Sequence, residues 1–192
     1  MQTIAFATTN QGKFHAAERN LRRFGIRVIQ KPLILPESRG SIEEIAAEKA
    51  RYAAHLLHRP TIAMDAGFFI DALNGFPRMF TNFALETIGL PGILTLLHEK
   101  KRTASFREVL AFSDGQRKPK TFLRIVSGRV APKPRGRLRP YHWSPLVLIF
   151  IPDGDSKTLG EMTAQEFNAH RRRVDRGSHW EQFGVFYGKP KA

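Results

Sequence analysis

A carboxylate at the end of a predicted buried strand is the first candidate for chemistry in this chain. The apolar run from Thr61 to Met64 predicts the strand, Asp65 follows it, and Ala66-Gly67 predicts a sharp turn before a second apolar run at residues 68–70. A strand end would fix the carboxylate, and the glycine would let a ligand approach the backbone closely. The same residues also fit an Asx-type turn that binds nothing.

A polar turn near the N-terminus is a second candidate site. A predicted strand from Thr3 to Ala7 leads into Thr8-Thr9-Asn10-Gln11-Gly12-Lys13, and an apolar face then indicates a helix that stops at Gly25. A strand, a glycine-containing turn and a helix beginning near a lysine can aim backbone amides at a phosphate group. The first glycine of the G-x-x-x-x-G-K-[ST] phosphate loop is missing, so a solvated turn fits the pattern too.

The predicted strand and helix that come next contain a further candidate site residue, Lys49. Arg27 to Leu35 predicts a strand, and Ser41 with Glu44 forms a capping box before a helix that reaches about Leu57. The predicted apolar face of that helix consists of Ile45, Tyr52, Ala53 and Leu56. Lys49 falls on this face, where its ammonium either passes the core edge to reach solvent or points into a cleft.

The remainder of the chain predicts one α/β domain over residues 1–192. Residues 106–112 and 121–126 predict an antiparallel hairpin, which we expect to form a second lobe. The hydrophobic content of 42% is sufficient for a core, and the absence of cysteine fits a reducing, cytoplasmic environment. No apolar run approaches the ~18 to 20 residues of a membrane span, and the N-terminus lacks the basic region of a signal peptide.

The net charge of +14 predicts a polyanionic partner, such as a nucleotide or a nucleic acid. The excess is concentrated late in the chain, in residues 117–120, 133–139 and 170–176.

Several segments together resemble the non-canonical purine nucleoside-triphosphate pyrophosphatases, the inosine triphosphatase (Ham1-like) family. They are A-T-T-N-Q-G-K, L-P-E, E-K-A-R-Y-A-A, M-D-A-G-F-F-I-D-A-L-N-G-F-P, S-G-R-V, P-R-G, P-D-G and T-L-G-E-M. The resemblance covers most of the chain in the right order, and it is closer in the N-terminal half.

The resemblance implies an elongated, two-lobed α/β fold with a long twisted mixed sheet and a central active-site cleft, usually in a homodimer. It also implies hydrolysis of (d)ITP and XTP to the monophosphate and pyrophosphate with Mg²⁺. Thr8, Asn10, Lys13 and Lys49 would hold the phosphates. Glu37 and Asp65 would bind Mg²⁺, and Asp65 would also activate the attacking water. Two carboxylates with substrate oxygens suit Mg²⁺, and the lysines would balance the phosphate charge.

The chain departs from the family pattern at several positions. Met64 stands in place of the first of two acids, Ala66 in place of a small hydroxyl residue, Arg78 in place of a glycine, and Ala16 in place of a glutamate.

The base-binding segments are more altered. Tyr141 and Trp143 remain as aromatic residues that could stack on a base or pack at a strand edge, while Ser144 replaces an acid and Phe167 replaces a lysine. The family's Ser-His-Arg signature fits either His170-Arg171 or residues 171–173, and we prefer His170 and Arg171. The pair Ser178-His179 lies too far along the chain and lacks the following arginine.

Two functions fit these features. The first is a nucleoside-triphosphate pyrophosphatase that keeps the phosphate and metal chemistry but has an altered base preference. The second is a catalytically weak nucleotide- or nucleic-acid-binding protein on the same fold. We favour the enzyme, because phosphate-binding residues spread over three segments have little reason to persist together without catalysis.

Overall fold

A computed structural model describes residues 1–35 and 40–188 of the chain. The helices and strands, in chain order, are β1 (Gln2–Ala7), α1 (Gln11–Leu21), β2 (Ile26–Lys31), α2 (Ile42–Leu57), β3 (Thr61–Ile70), β4 (Pro77–Arg78), α3 (Thr81–Thr87), α4 (Gly89–Leu96), β5 (Thr103–Ser113), β6 (Lys120–Val130), β7 (Phe150–Pro152), α5 (Ala164–Asp175) and α6 (His179–Tyr187). Short 3₁₀ turns cover Arg22–Phe24, Asp71–Leu73 and Pro145–Leu148.

The strands form one mixed seven-stranded sheet in the order β2-β1-β3-β5-β6-β7, with β4 paired to β3. Strand β1 pairs in parallel with β2 and with β3, whereas β4 runs antiparallel to β3 and β7 antiparallel to β6. Parallel neighbours need a crossover, which α1 supplies between β1 and β2 and α2 supplies between β2 and β3. The prediction of an α/β fold with a long twisted mixed sheet is confirmed.

The chain divides into two compact units. The first unit contains residues 1–66, 108–124 and 175–192, and the second contains residues 67–107 and 125–174. The predicted hairpin strands are present, but residues 108–124 around the turn belong to the first unit, so the hairpin does not form a second lobe as predicted. The assignment of residues 1–192 to one domain stays a prediction.

Each unit has its own apolar core. In the first unit α1, α6 and the strands bury side chains that include Phe6, Leu21, Ile62 and Phe183. In the second unit Phe68, Phe106 and Phe150 pack with their ring centroids 4.7 to 5.8 Å apart, in the tilted and edge-on arrangements that aromatic rings favour. No helix within the described ranges is long and apolar enough to cross a membrane.

The predicted turn at Ala66-Gly67 is absent, because β3 runs without interruption from Thr61 to Ile70. Gly67 is needed for close packing and not for a turn. A Cβ on Gly67 would lie 2.6 Å from the carbonyl oxygen of Arg78, so the glycine lets the backbone of the neighbouring segment approach the strand closely. Asp65 therefore lies within a continuous strand and not at its end.

Helix α2 begins and ends close to its predicted bounds, with the capping box of Ser41 and Glu44 in place. Its buried face differs from the prediction. Tyr52 and Leu56 are about half exposed, whereas the buried positions are Ile42, Ile45, Ala46, Ala50, Ala53 and Ala54. Strand β2 is also shorter than predicted and ends at Lys31.

Candidate active site

The turn between β1 and α1 is built around the N-cap of the helix. The side-chain oxygen of Asn10 accepts a hydrogen bond of 2.9 Å from the backbone N–H of Lys13, and the backbone N–H of Asn10 donates to Thr8 Oγ1 at 3.1 Å. Thr8 is buried and Asn10 is exposed. The first N–H groups of α1 have no partner within the helix, which suits them to hold an anion.

The Lys13 side chain runs back from α1 to strand β3, where its ammonium donates a hydrogen bond of 3.1 Å to the carbonyl oxygen of Met64. Burial lowers the pKa of the Lys13 ammonium; Asp65 and then Glu108 raise it, and Lys49 lowers it. The lysine is thus one of several charged groups gathered in the first unit.

Lys49 and Asp65 form a direct ion pair, with Lys49 Nζ 3.0 Å from Asp65 Oδ2. Each side chain is only 14% exposed, so the pair is shielded from most of the solvent. The other carboxylate oxygen, Oδ1, accepts a hydrogen bond of 3.0 Å from the backbone N–H of Ala66. Of the two interpretations of Lys49, the structure supports an ammonium directed toward the candidate site.

The first unit therefore gathers Thr8, Asn10, Lys13, Lys49 and Asp65, which come from β1, α1, α2 and β3. Two ammonium groups, a carboxylate and the amino end of a helix in one place suit a polyphosphate with a bound cation. The predicted metal ligand Glu37 lies outside the described residues.

Of the two predicted metal ligands, Asp65 is the one within the described residues. Across residues 1–35 and 40–188, no three His, Asp or Glu side chains are grouped to form a complete protein site. Mg²⁺ usually binds through one or two carboxylates together with substrate phosphates and water, so such a group is not required. Lys49 Nζ donates to Asp65 Oδ2 and the Ala66 N–H donates to Oδ1. A carboxylate has lone pairs beyond these two, so Asp65 can still offer one contact to the ion.

The predicted base-binding residues Tyr141, Trp143, His170 and Arg171 belong to the second unit. Tyr141 is 41% exposed and Trp143 is 56% exposed, so both keep ring surface available for stacking. The Trp143 ring packs edge-on against Phe106 at a centroid distance of 4.9 Å, and Tyr141 Oη accepts a hydrogen bond from Arg139 Nη1 at 2.8 Å.

The two arrangements of the Ser-His-Arg signature both fall on α5. His170 is buried, with Nδ1 3.7 Å from Asp155 Oδ2, and Arg171 is half-buried. Arg173 Nη2 also reaches Asp155 Oδ2, at 2.5 Å, and Phe167 is a buried member of the second core. The base-binding role of these residues stays a prediction.

Ser178 and His179, which were rejected above as the Ser-His-Arg signature, lie at the start of α6 in the first unit. Ser178 Oγ and both ring nitrogens of His179 are buried without a hydrogen-bond partner among the described residues. Burial, and then the charges of Arg124 and Lys13, hold the pKa of His179 well below its usual range. In sequence the pair lies too far from Asn168 to match the signature. In the folded chain, however, His179 is close enough to Lys13 for the lysine charge to lower the pKa of the imidazole.

Comparison with protein families identifies the chain independently. The model of the Ham1 family matches residues 4–175. A dITP/XTP pyrophosphatase of Methanopyrus kandleri is 40% identical over 187 residues, which cover 95% of this chain and 97% of that protein. A dITP/XTP pyrophosphatase of Thermococcus kodakarensis is 37% identical and covers 89% of this chain and 92% of its own length.

Solved structures agree with these relatives. A HAM1 protein from Coxiella burnetii matches with a TM-score of 0.82 and 27% identity, covering 97% of this chain and 98% of the other. The Staphylococcus aureus Ham1 protein has the same fold, with a TM-score of 0.79 over 96% of this chain and 97% of its own. On the family match and the two relatives that align with nearly the whole chain, this protein belongs to the Ham1 family.

Proposed function

We propose that this protein hydrolyses non-canonical purine nucleoside triphosphates, such as dITP, ITP and XTP, to the monophosphate and pyrophosphate. The observation that carries the proposal is the gathering of Lys13, Lys49 and Asp65 beside the amino end of α1. The relatives named dITP/XTP pyrophosphatase, which align with almost all of the chain, support the choice of substrate.

The phosphates bind where positive charge is concentrated. Thr8, Asn10 and the first backbone N–H groups of α1 hold the phosphate oxygens, and Lys13 and Lys49 neutralise them. The ion pair between Lys49 and Asp65 belongs to the free enzyme. When a triphosphate enters, Lys49 gains phosphate oxygens as partners, and Asp65 is released for chemistry.

In this proposal Asp65 activates the attacking water. Water attacks the α-phosphorus, the bond between that phosphorus and the bridging oxygen to the β-phosphate breaks, and pyrophosphate leaves while Asp65 takes the proton from the water. Asp65 and Glu37 would hold Mg²⁺, which supplies further neutralisation of the phosphate oxygens. We infer that Tyr141 and Trp143 stack on the base and that His170 and Arg171 contact it.

A pyrophosphate-release assay tests the proposal, with dITP, ITP, XTP, GTP and ATP as substrates in the presence and absence of Mg²⁺. Lys13→Met should lower kcat/KM by about 10²-fold or more, because one charged contact to the transition state is lost. Lys118→Met is the matched control, because it removes the same charge from an exposed lysine in the turn between β5 and β6. No pyrophosphate from any of these nucleotides, or equal losses in the two variants, would refute the proposal.

We further propose that the protein forms a homodimer through the second unit. The support is a set of exposed apolar side chains in and around α3 and α4, where Phe80 is 60% exposed, Phe83 65%, Ile88 40% and Leu96 43%. Exposed apolar groups of this kind are typical of protein interfaces. Light scattering should give a mass near twice 21.8 kDa for the wild type and near 21.8 kDa for Phe83→Glu. A monomeric wild type would contradict the proposal.

A further inference from the structure

His142 lies between Tyr141 and Trp143 in the chain, the two aromatic residues assigned to the base, but the proposed function gives it no role. The backbone N–H of Arg139 donates a hydrogen bond of 3.2 Å to Nδ1 of the imidazole. A backbone N–H can only donate, so Nδ1 is an acceptor and carries no hydrogen. The hydrogen of the neutral ring is therefore on Nε2.

The surroundings of the imidazole keep it in this neutral form. Burial, and then the charge of Arg139, lower the pKa of His142. Protonation would also place a hydrogen on Nδ1, and the hydrogen bond from the Arg139 N–H would be lost. At neutral pH the ring thus has one donor, the Nε2–H group, and its other nitrogen is already bonded.

The Nε2 atom of His142 is buried, and it has no hydrogen-bond partner within residues 1–35 and 40–188. A buried donor without an acceptor is costly, and buried polar groups in native structures are seldom left in this state. An acceptor carried by a ligand would satisfy the donor. Because His142 belongs to the same short segment as Tyr141 and Trp143, the base is the part of the substrate that would carry this acceptor.

The neighbouring ring of Phe167 indicates which contact the donor replaces. Phe167 lies tilted against His142, with the ring centroids 5.0 Å apart and the ring planes at 62°. Phe167 stands in place of a lysine of the related family, and an ammonium group donates hydrogen bonds whereas a phenyl ring does not. His142 therefore supplies a donor beside the position at which one has been lost.

Tyr141 is the side chain that can open a path to Nε2. The rings of Tyr141 and Phe167 both lie against the imidazole, at centroid distances of 4.6 and 5.0 Å. Phe167 is a buried member of the second core, whereas Tyr141 is 41% exposed and its hydroxyl accepts an exposed hydrogen bond from Arg139. A base that stacks on Tyr141 and shifts its ring would reach the donor.

We propose that His142 determines specificity in the base site: its Nε2–H group donates a hydrogen bond to the carbonyl oxygen at C6 of hypoxanthine or xanthine. The inference rests on the proposed function, in which Tyr141 and Trp143 stack on the base. Adenine carries an amino group at C6, so two donors would face each other and ATP would be rejected. Guanine keeps the carbonyl, so this contact does not exclude GTP.

Binding of nucleoside monophosphates, measured by calorimetry, tests the inference apart from hydrolysis. IMP has the carbonyl at C6, AMP has an amino group there, and the monophosphate of purine riboside has only hydrogen. The wild type should bind IMP roughly tenfold more tightly than either analogue, and His142→Phe, which keeps a ring but removes the donor, should bind all three similarly. His142→Gln should keep much of the preference, because its amide can place an N–H near the position of Nε2.

His98→Phe is the matched control, because it makes the same change at an exposed histidine of the second unit. It should retain the wild-type preference for IMP. The inference is overturned if His142→Phe keeps that preference, if His98→Phe loses it as well, or if the wild type shows no preference for IMP.

NMR of the imidazole nitrogens in the wild type gives a second readout, which does not depend on the folding of a variant. His142 should be the Nε2–H tautomer, and IMP should shift its Nε2 resonance more than the monophosphate of purine riboside does. An Nδ1–H tautomer, or equal shifts with the two ligands, would overturn the inference.

The inference and the proposed function can fail separately. A preference for IMP that depends on His142, without pyrophosphate release from any nucleotide, would refute the proposed function and leave the inference standing. Pyrophosphate release with a base preference that is unchanged in His142→Phe would refute the inference alone.

Discussion

Replacing Asp65 by asparagine should remove activity and also weaken the fold. The Asp65 carboxylate lies 3.0 Å from the Lys49 ammonium, and both side chains are only 14% exposed. Asparagine keeps the size of the side chain but removes its charge. Burial lowers the pKa of Lys13 most and the Lys49 charge lowers it further, so losing the Asp65 charge, which raises that pKa, leaves both ammonium groups less well balanced.

The magnitude follows from the burial of this pair. An exposed ion pair contributes about 0 to 1 kcal/mol, whereas removing one partner of a fully buried pair costs about 3 to 5 kcal/mol. With about a seventh of each side chain exposed, we expect a loss of about 1 to 3 kcal/mol. For a chain of this length that corresponds to a fall in melting temperature of roughly 3 to 10 °C.

A double variant separates the two roles of Asp65. Asp65→Asn/Lys49→Met removes the uncompensated ammonium, so thermal denaturation should show most of the lost stability restored. Pyrophosphate release should stay absent, because the group that activates water is still missing. Measurable turnover by Asp65→Asn would remove Asp65 from the mechanism. A melting temperature equal to that of the wild type would show that the ion pair does not stabilise the fold.

Three further changes and one binding measurement test other parts of the structure. Gly67→Ala should cost about 1 to 3 kcal/mol in urea denaturation, because its Cβ would meet the backbone of Arg78 at 2.6 Å; unchanged stability would argue against that close approach. His179 is neutral when folded, so the unfolded chain takes up the proton first as the pH falls below about 6.5, and stability is complete above that pH and declines below it. His179→Gln should therefore flatten the dependence of unfolding free energy on pH between 7 and 5, by up to about 1.4 kcal/mol per pH unit, and an unaltered slope would assign the acid sensitivity to other groups. Trp143→Ala should raise KM for ITP, XTP, GTP and ATP by a similar factor, since stacking of about 1 to 3 kcal/mol discriminates poorly between bases; a selective loss for one base would contradict this. Oligonucleotides should bind negligibly at physiological salt, and tight binding that weakens steeply with salt would mean that the +14 charge serves a nucleic acid.

Local signals in the sequence were enough to predict much of the first unit. The capping box of Ser41 and Glu44 predicted the start of α2, because both partners lie within one helical turn and need no tertiary contact. The polar turn before α1 was predicted for the same reason, since Asn10 caps its own helix. Together with the resemblance to the Ham1 family, these segments were sufficient to select Lys13, Lys49 and Asp65 as candidate site residues.

Other features depended on contacts that no local pattern contains. Gly67 looks like a turn residue in sequence, but its role is set by the backbone of Arg78, which reaches it only after β4 pairs with β3. Tyr52 and Leu56 continue an apolar pattern, yet they stay outside because alanines fill the contact face of α2 and allow that helix to pack closely.

The contacts of Glu108 show most clearly what the sequence could not reveal. An acid within the apolar run of β5 is visible in the sequence, but its partners are not. Glu108 Oε2 lies 3.3 Å from Arg124 Nε and 3.9 Å from His179 Nδ1, and these residues are 16 and 71 positions further along the chain. The sequence determined which charges exist and which helices and strands carry them. The tertiary structure decided which charges meet, because the attraction between two groups depends on their separation and burial in space and not on their spacing along the chain.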